Sequence, residues 1–320
     1  MTATHDLILC TRNRPADLAT CLTSLIDQRA PADHVLIVDA SDDLEAAEVQ
    51  AVVDGHPDLP IELIRAQPGL PAQRNLGVHR STAAIVHFLD DDTVLEPGYF
   101  AAILEQFAAD DRPLSDPLAV LGVGGLPTDL PPPRAAGLQG RLAPGSVRPG
   151  AVLPSGRGVL ASGLIEPTEV DWLSGCAMSF RRPVLLAEPF DEGLEGYALG
   201  EDLELTYRVR QHGRLIVDPA ARLEHRESPR NRWDRQRWAR TDVVNRRRRV
   251  ASGTGAYRVR AFWLDGLAQL GLWSVRAIRP GATDARSMAK GMAAGLWAAR
   301  SVLSAAPRPG PWPPADQPRA

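Results

Sequence analysis

The chain has 320 residues, 44% of them apolar and 23% charged, so it can bury a full globular core. Its formal net charge of −3 excludes an overall affinity for polyanions, although thirteen arginines against four carboxylates fall between Arg222 and Arg260. Cys10, Cys21 and Cys176 form no CxxC pair and read as reduced thiols of a cytosolic protein. No basic, apolar leader follows Met1, and no run of about 18 apolar residues lacks a charge, so neither a signal peptide nor a membrane-spanning helix is expected.

Asp6-Leu7-Ile8-Leu9-Cys10-Thr11 reads as a first strand, Arg12 to Arg14 as a loop, and Pro15 as the first residue of a helix carrying Leu18, Cys21, Leu22, Leu25 and Ile26. His34 to Asp39 is a second strand ending in a carboxylate, and Ser41-Asp42-Asp43 caps a helix reaching about Asp54. Ile61 to Ile64 is a third strand, Pro71 to Gly77 opens another helix, and Ala84 to Asp90 is a fourth strand. A helix over Pro97 to Ala109 and a fifth strand over Leu118 to Val123 follow. Strands alternating with helices predict an α/β fold, a mostly parallel sheet covered on both faces. Ligands of such sheets bind outside the carboxyl ends of the strands, so Thr11-Arg12, Asp39 and Asp90-Asp91-Asp92 should converge on one crevice.

The triplet at the end of the fourth strand is the strongest local signal. Three adjacent carboxylates repel one another and are costly to desolvate unless they point into water or a cation sits among them. Oxygen ligands suit a hard ion, Mg2+ or Mn2+. From Leu126 to about Thr168 the chain turns to Pro, Gly and Arg without periodicity, which reads as an insertion that is either a functional loop or partly disordered. Order resumes from Val170 to Phe180, with a helix after Pro183. Gly200-Glu201-Asp202 opens another helix, where the carboxylates also suit the helix dipole. Leu215 to Asp218 is a short strand, and Ala221 to His225 a second one ending in histidine.

Taken in order, these landmarks resemble those of family 2 glycosyltransferases with the GT-A fold. Cys10 to Arg14 and Val38 to Asp43 follow the first two strands, and Gly69 to Asn75 precedes the central one. Asp90-Asp91-Asp92 resembles the DxD motif, Trp172-Leu173-Ser174-Gly175 the acceptor-side loop, Gly200-Glu201-Asp202 the ED motif and His225 the late metal ligand. The resemblance spans roughly Asp6 to Arg226. It implies a nucleotide-diphospho-sugar donor, Mg2+ or Mn2+, and transfer with inversion. By the same resemblance Thr11 and Asp39 hold the nucleobase, with Arg12 and Asp91 also on the donor side. Arg74 faces the diphosphate or ribose and Asp90 the ribose. Asp92 binds the metal and His225 completes its shell. Asp202 is the general base with Glu201 beside it, and Trp172 and Gly175 border the sugar and acceptor. The chemistry agrees: a metal neutralises the diphosphate leaving group, and a positioned carboxylate takes the proton of a poorly nucleophilic hydroxyl.

Other readings are weaker. Phe88 to Val94 also fits the haloacid-dehalogenase phosphatase pattern. It lies on the fourth strand rather than the first, and the one lysine, Lys290, is in a tail helix. A nucleotidyltransferase would open with a glycine-rich loop, and Cys10 to Pro15 has no glycine. A non-catalytic nucleotide-sugar-binding partner would not need Asp92, Asp202 and His225 together.

These readings divide the chain into a catalytic domain over 1–226 with its insertion at 126–168, a helical extension over 227–305 and a Pro-rich, disordered tail over 306–320. Arg230 to Arg240 interleaves arginine with tryptophan. It reads as a helix with a solvated arginine face and Trp packed inward rather than as a nucleic-acid surface, given the acidic overall balance. Contact with anionic lipid head groups or a lipid-pyrophosphate acceptor is the third reading. Phe262 to Ile278 and the Met288, Met292, Leu296, Leu303 stripe are apolar at helical spacing. Packing against the catalytic domain is the default for both, and peripheral membrane contact the alternative.

Overall fold

A computed structural model describes residues 3–130, 148–194, 198–228, 234–253 and 255–302. Part of the insertion, Trp233, Leu303 and the Pro-rich tail lie outside the described residues. The first half alternates as expected: β1 (His5–Thr11), α1 (Pro15–Leu25), β2 (His34–Asp39), α2 (Asp43–Asp54), β3 (Ile61–Arg65), α3 (Leu70–Arg80), β4 (Ile85–Asp90), β5 (Thr93–Leu95) and α4 (Tyr99–Ala108). Next come β6 (Val120–Pro127), β7 (Thr168–Val170), β8 (Ala177–Arg181), α5 (Arg182–Ala187), α6 (Glu201–Val209) and β9 (Arg214–His225). Three helices close the chain: α7 (Arg235–Ala251), α8 (Val259–Ala277) and α9 (Thr283–Ala299).

The sheet runs β3-β2-β1-β4-β8-β6-β9-β5, with β7 paired to β9 off this path. β1 to β4 are mutually parallel, and β6 and β9 run the same way, whereas β5, β7 and β8 oppose them. Because β1 is covered on both faces, its consecutive apolar residues serve different cores. Leu7 and Leu9 join Leu18, Leu22, Phe100 and Ile103 on one side, and Ile8 joins Val78, Phe88, Leu205 and Leu215 on the other. α3 crosses β1 so closely that a Cβ on Gly77 would lie 2.6 Å from Ile8 Cγ2.

A third apolar core gathers Val243, Val250, Phe262, Met288, Met292 and Leu296 of α7 to α9 with Tyr207 of α6. Among the described residues no helix is long and apolar enough to cross a membrane.

Four expectations need correction. The fifth strand runs Val120–Pro127, so Leu118 lies outside it and is exposed. The two late strands are one, β9, because the register with β6 shifts between Gly124 and Leu126 and so accommodates Pro219. Asp42 stands at the N-cap of α2, but its carboxylate accepts from Asn13 Nδ2 at 2.8 Å instead of capping. On α7, Arg235, Arg237 and Arg240 face water as expected, but Trp238 is exposed instead of packing inward. Farther along the helix Arg246 and Arg249 are buried, where carboxylate and carbonyl partners wait: Arg246 bonds Asp265, and Arg249 reaches the Gly200 and Gly156 carbonyls.

Candidate active site

Parallel register brings the predicted residues to one end of the sheet. Thr11 lies opposite Asp39, and Asp90 opposite Cys10. A turn at Asp91-Asp92 leads from β4 into β5, which is only three residues long yet pairs antiparallel with the end of β9. Thr93 is thereby set opposite His225, and the histidine lies beside the carboxylates although 132 residues intervene.

The three carboxylates do three different jobs. Asp91 turns inward, accepting from Thr11 Oγ1 at 2.6 Å and Arg14 Nη1 at 3.0 Å, and burial pushes its carboxyl up to about 7. It fastens the turn to β1, so neither Asp91 nor Thr11 presents a free oxygen to the crevice. Asp92 Oδ2 accepts from the Ser228 N–H at 2.7 Å, and Asp92 Oδ1 lies 3.1 Å from His225 Nε2. Asp90 stays half-exposed, with Oδ2 3.7 Å from the same nitrogen.

Asp90, Asp92 and His225 offer ligand atoms within 4.8 Å of one another. Asp92 Oδ1 is buried and takes no well-aligned hydrogen bond despite its closeness to His225. An orphaned carboxylate oxygen facing a second carboxylate and an imidazole fits a hard or borderline divalent cation. Burial works against a charged His225, but the Asp92 carboxylate beside it, the Cys176 sulfur and the charge of Asp90 push its pKa up to about 11.

Arg74 joins this group to the Glu201-Asp202 pair. It projects from α3 into the protein, nearly inaccessible, between the Phe88 and Phe190 rings. Nη1 donates to Glu201 Oε1 at 2.6 Å, and Nη2 to Asp90 Oδ1 at 3.3 Å and to the Gly175 carbonyl at 3.1 Å. Burial and the adjacent Asp202 carboxylate push Glu201 up to about 8, against the pull of Arg74. Asp202 is more open. Its Oδ2 accepts from the Gly175 N–H at 2.9 Å and its Oδ1 from the Leu203 N–H at 2.7 Å, which fixes its orientation.

Gly175 is glycine because a Cβ there would lie 3.1 Å from Arg74 Nη2 and 3.2 Å from Asp202 Cβ. Trp172 is half-buried and donates from Nε1 to the Val159 carbonyl at 2.9 Å. It borders a shallow recess with Leu126, Leu130, Leu160, Ser174 and Val217.

Asp39 and Arg12 are placed less simply. Asp39 is fully buried, with Oδ1 accepting from the Ser41 N–H at 2.8 Å and Oδ2 paired with Arg65. It can meet a ligand only once Arg65, half-exposed at its side chain, moves aside. Arg12 is exposed, 3.6 Å from Asp42.

The structure adds residues the sequence did not single out. Arg14 reaches Asp91 and lies 3.7 Å from Asp92 Oδ2, and Gln73 donates to the carbonyls of Thr11 and Val38, holding the ends of β1 and β2. Both lie within stretches that the motif reading had marked, which was the available signal. Ser228 gave none. α7 contributes too: Asn245, Arg248 and Arg249 donate to the carbonyls of Leu199, Gly193 and Gly200. Gly200 adopts φ +82°, the left-handed turn directly before Glu201, and Arg249 packs where its Cβ would be. The helical extension thus grips the segment that carries the Glu201-Asp202 pair. Lys290, by contrast, is exposed on α9, within the extension and not at the triplet.

Residues 6–119 match the family described as Glycosyl transferase family 2. Two solved structures share the fold. A mannosyltransferase, PcManGT from Pyrobaculum calidifontis, in complex with GDP-Man and Mn2+, is 16% identical with a TM-score of 0.57, over 93% of this chain and 88% of that one. GalNAc-T7 with UDP, GalNAc and Mn2+ is 15% identical with a TM-score of 0.58, over 87% of this chain and 58% of that one. No curated protein sequence matches.

Proposed function

We propose that this family 2 glycosyltransferase, whose residues 6–119 carry the family segment of a GT-A fold, moves a sugar from a nucleoside-diphosphate donor to an acceptor hydroxyl with inversion, using Mg2+ or Mn2+. One observation carries the reading: a single buried guanidinium, Arg74, touches both Asp90 of the metal-competent group and Glu201 beside Asp202. Donor activation and acceptor deprotonation are thereby held in one rigid frame. The Mn2+ held with GDP-Man by one fold neighbour, and with UDP and GalNAc by the other, supports it.

Asp92, Asp90 and His225 would hold the ion, which as a Lewis acid neutralises the charge gathering on the diphosphate. Asp202 takes the acceptor hydroxyl proton; the acceptor oxygen bonds to the anomeric carbon as the bond to phosphate breaks, and the nucleoside diphosphate leaves. Backbone donors on both oxygens of Asp202 keep its carboxylate aimed before substrate arrives. Glu201 and Arg74 hold the loop at Gly175. The recess bordered by Trp172 and Ser174 adjoins that loop and suits the acceptor, a glycan, a lipid-linked glycan or a small molecule. Arg12 and, with Arg65 displaced, Asp39 are the nucleobase side.

The cysteines are free, and burial pushes the Cys10 and Cys21 thiols up to about 12, which keeps them protonated and unreactive; a cytoplasmic location belongs to the same proposal. Peripheral contact of the C-terminal helices with a membrane belongs to the same reading.

Asp202→Asn tests the proposal. It keeps the shape and the Gly175 contact but cannot accept a proton. Donor binding should be unchanged and turnover should fall by roughly 10²–10⁴-fold. Normal turnover by this variant, or a product whose anomeric configuration is retained by NMR, would remove Asp202 as the base.

A further inference from the structure

Helix α8 is apolar on two opposite sides, and the described protein covers one of them. On the inner side Phe262 and Gly266 are buried, and Trp263, Leu270 and Trp273 pack into the third apolar core. A Cβ on Gly266 would lie 2.7 Å from Leu296 Cδ2, so α9 seats on this side and fixes how the helix is turned. On the outer side Leu264 is 72% exposed, Leu267 57%, Val275 66% and Ile278 80%. At 100° per residue, these four with Ala268 and Gly271 fall within a stripe of about 100°. From Leu264 to Ile278 no charged residue falls within this arc, and Arg260 stands at its N-terminal end; this is not scattered surface leucine but a face that gains by leaving water.

The charge around the stripe indicates what covers it. Between Asp234 and Arg300 there are fourteen basic residues, of which Arg246 and Arg249 are buried, and four acidic ones, in a chain whose net charge is −3, so this segment is the basic part of an otherwise acidic molecule. Arg260, Arg276 and Arg279 are exposed along α8 or just beyond its end. Asp265, the one carboxylate in α8, is half-buried and already paired with Arg157 and Arg246. On α9, one residue past Leu296, Trp297 is 73% exposed with the Arg300 guanidinium 3.4 Å above its ring. A basic rim around an apolar stripe is complementary to an anionic lipid surface, which offers headgroup charge above an acyl layer. The helix cannot span a bilayer, so it would lie in the interface plane.

We propose that the outer face of α8 docks the protein in-plane on anionic lipid bilayers, with Leu264, Leu267, Val275 and Ile278 entering the interface. This deepens the membrane contact of the reading above but does not depend on the transfer chemistry, and its test needs no turnover.

The test is flotation of the full chain with vesicles of phosphatidylcholine alone and with an equal mixture of phosphatidylcholine and phosphatidylglycerol. Binding is expected to the mixed vesicles, weakly or not at all to phosphatidylcholine, and to weaken as salt screens the arginines. Leu264→Ser with Ile278→Ser removes only exposed apolar atoms and no charge. It should cut vesicle affinity by at least about tenfold while the thermal unfolding curve stays in place. Absence of binding to the mixed vesicles, or binding that the double variant keeps, would overturn the proposal. So would a vesicle-free dimer of the native chain that the same variant converts to monomer, since a second copy would then own the face.

Discussion

Replacing Arg74 by methionine removes the group that joins the two carboxylate sets while keeping an unbranched side chain between Phe88 and Phe190. The lost contacts are the 2.6 Å bond to Glu201, the 3.3 Å bond to Asp90 and the 3.1 Å bond to the Gly175 carbonyl. Deleting one partner of a buried charged pair costs about 3–5 kcal/mol, because the other is left buried and unpaired. Glu201, already pushed up to about 8, can relieve part of that by staying protonated below pH 8, so the loss there belongs near the lower figure, about 3 kcal/mol. In a Glu201→Gln background the same substitution abandons no carboxylate and should cost about 1–2 kcal/mol less. Urea unfolding of the four proteins, followed by circular dichroism, gives the coupling directly, and it should grow as pH rises through 8. Equal costs of Arg74→Met in both backgrounds would refute the claim that Arg74 holds Glu201.

Two other outcomes follow from the same geometry. Gly175→Ala would press a methyl against Arg74 and Asp202, so turnover should fall about 10²-fold with donor affinity unchanged; a loss confined to KM would contradict it. Glu201 also sets a pH dependence of stability. Its carboxyl ionises near the ordinary 4.5 when unfolded but only near 8 when folded, so across that window the native state holds the extra proton. That contribution to stability is fully present below about 4.5 and is lost as pH rises through 8, and Glu201→Gln should flatten the decline in urea titrations.

Much of the site was legible in the sequence because it is local to strand ends. Apolar runs ending in Thr11, Asp39 and Asp90 announced both the strands and the crevice, since parallel strands that share helices on both faces must end together. What was not legible depended on partners far away in the chain. Nothing in Thr93-Val94-Leu95 marks it as a strand, because among the described residues its ladder is with the distant end of β9, yet that pairing is what brings His225 to Asp92. Asp91 looked equivalent to its neighbours until Thr11 and Arg14 claimed it. The outward arginines of α7, Arg235, Arg237 and Arg240, were legible from composition, but the inward turn of Arg246 and Arg249 was not, because their acceptors, Asp265 and the carbonyls of Gly156 and Gly200, belong to other elements.

The central claim is that Asp92 with Asp90 and His225 binds the ion that makes the nucleotide site. Calorimetric titration of the native protein and of Asp92→Asn with GDP, UDP and their sugars, each with Mn2+ and with chelator, addresses it most directly. The asparagine side chain can keep the Ser228 contact that Asp92 makes at 2.7 Å, so the fold should survive the exchange. The account predicts binding of one nucleotide by the native protein that requires Mn2+ and that Asp92→Asn abolishes. Binding of the same strength in chelator, or undiminished Mn2+-dependent binding by the variant, would contradict it.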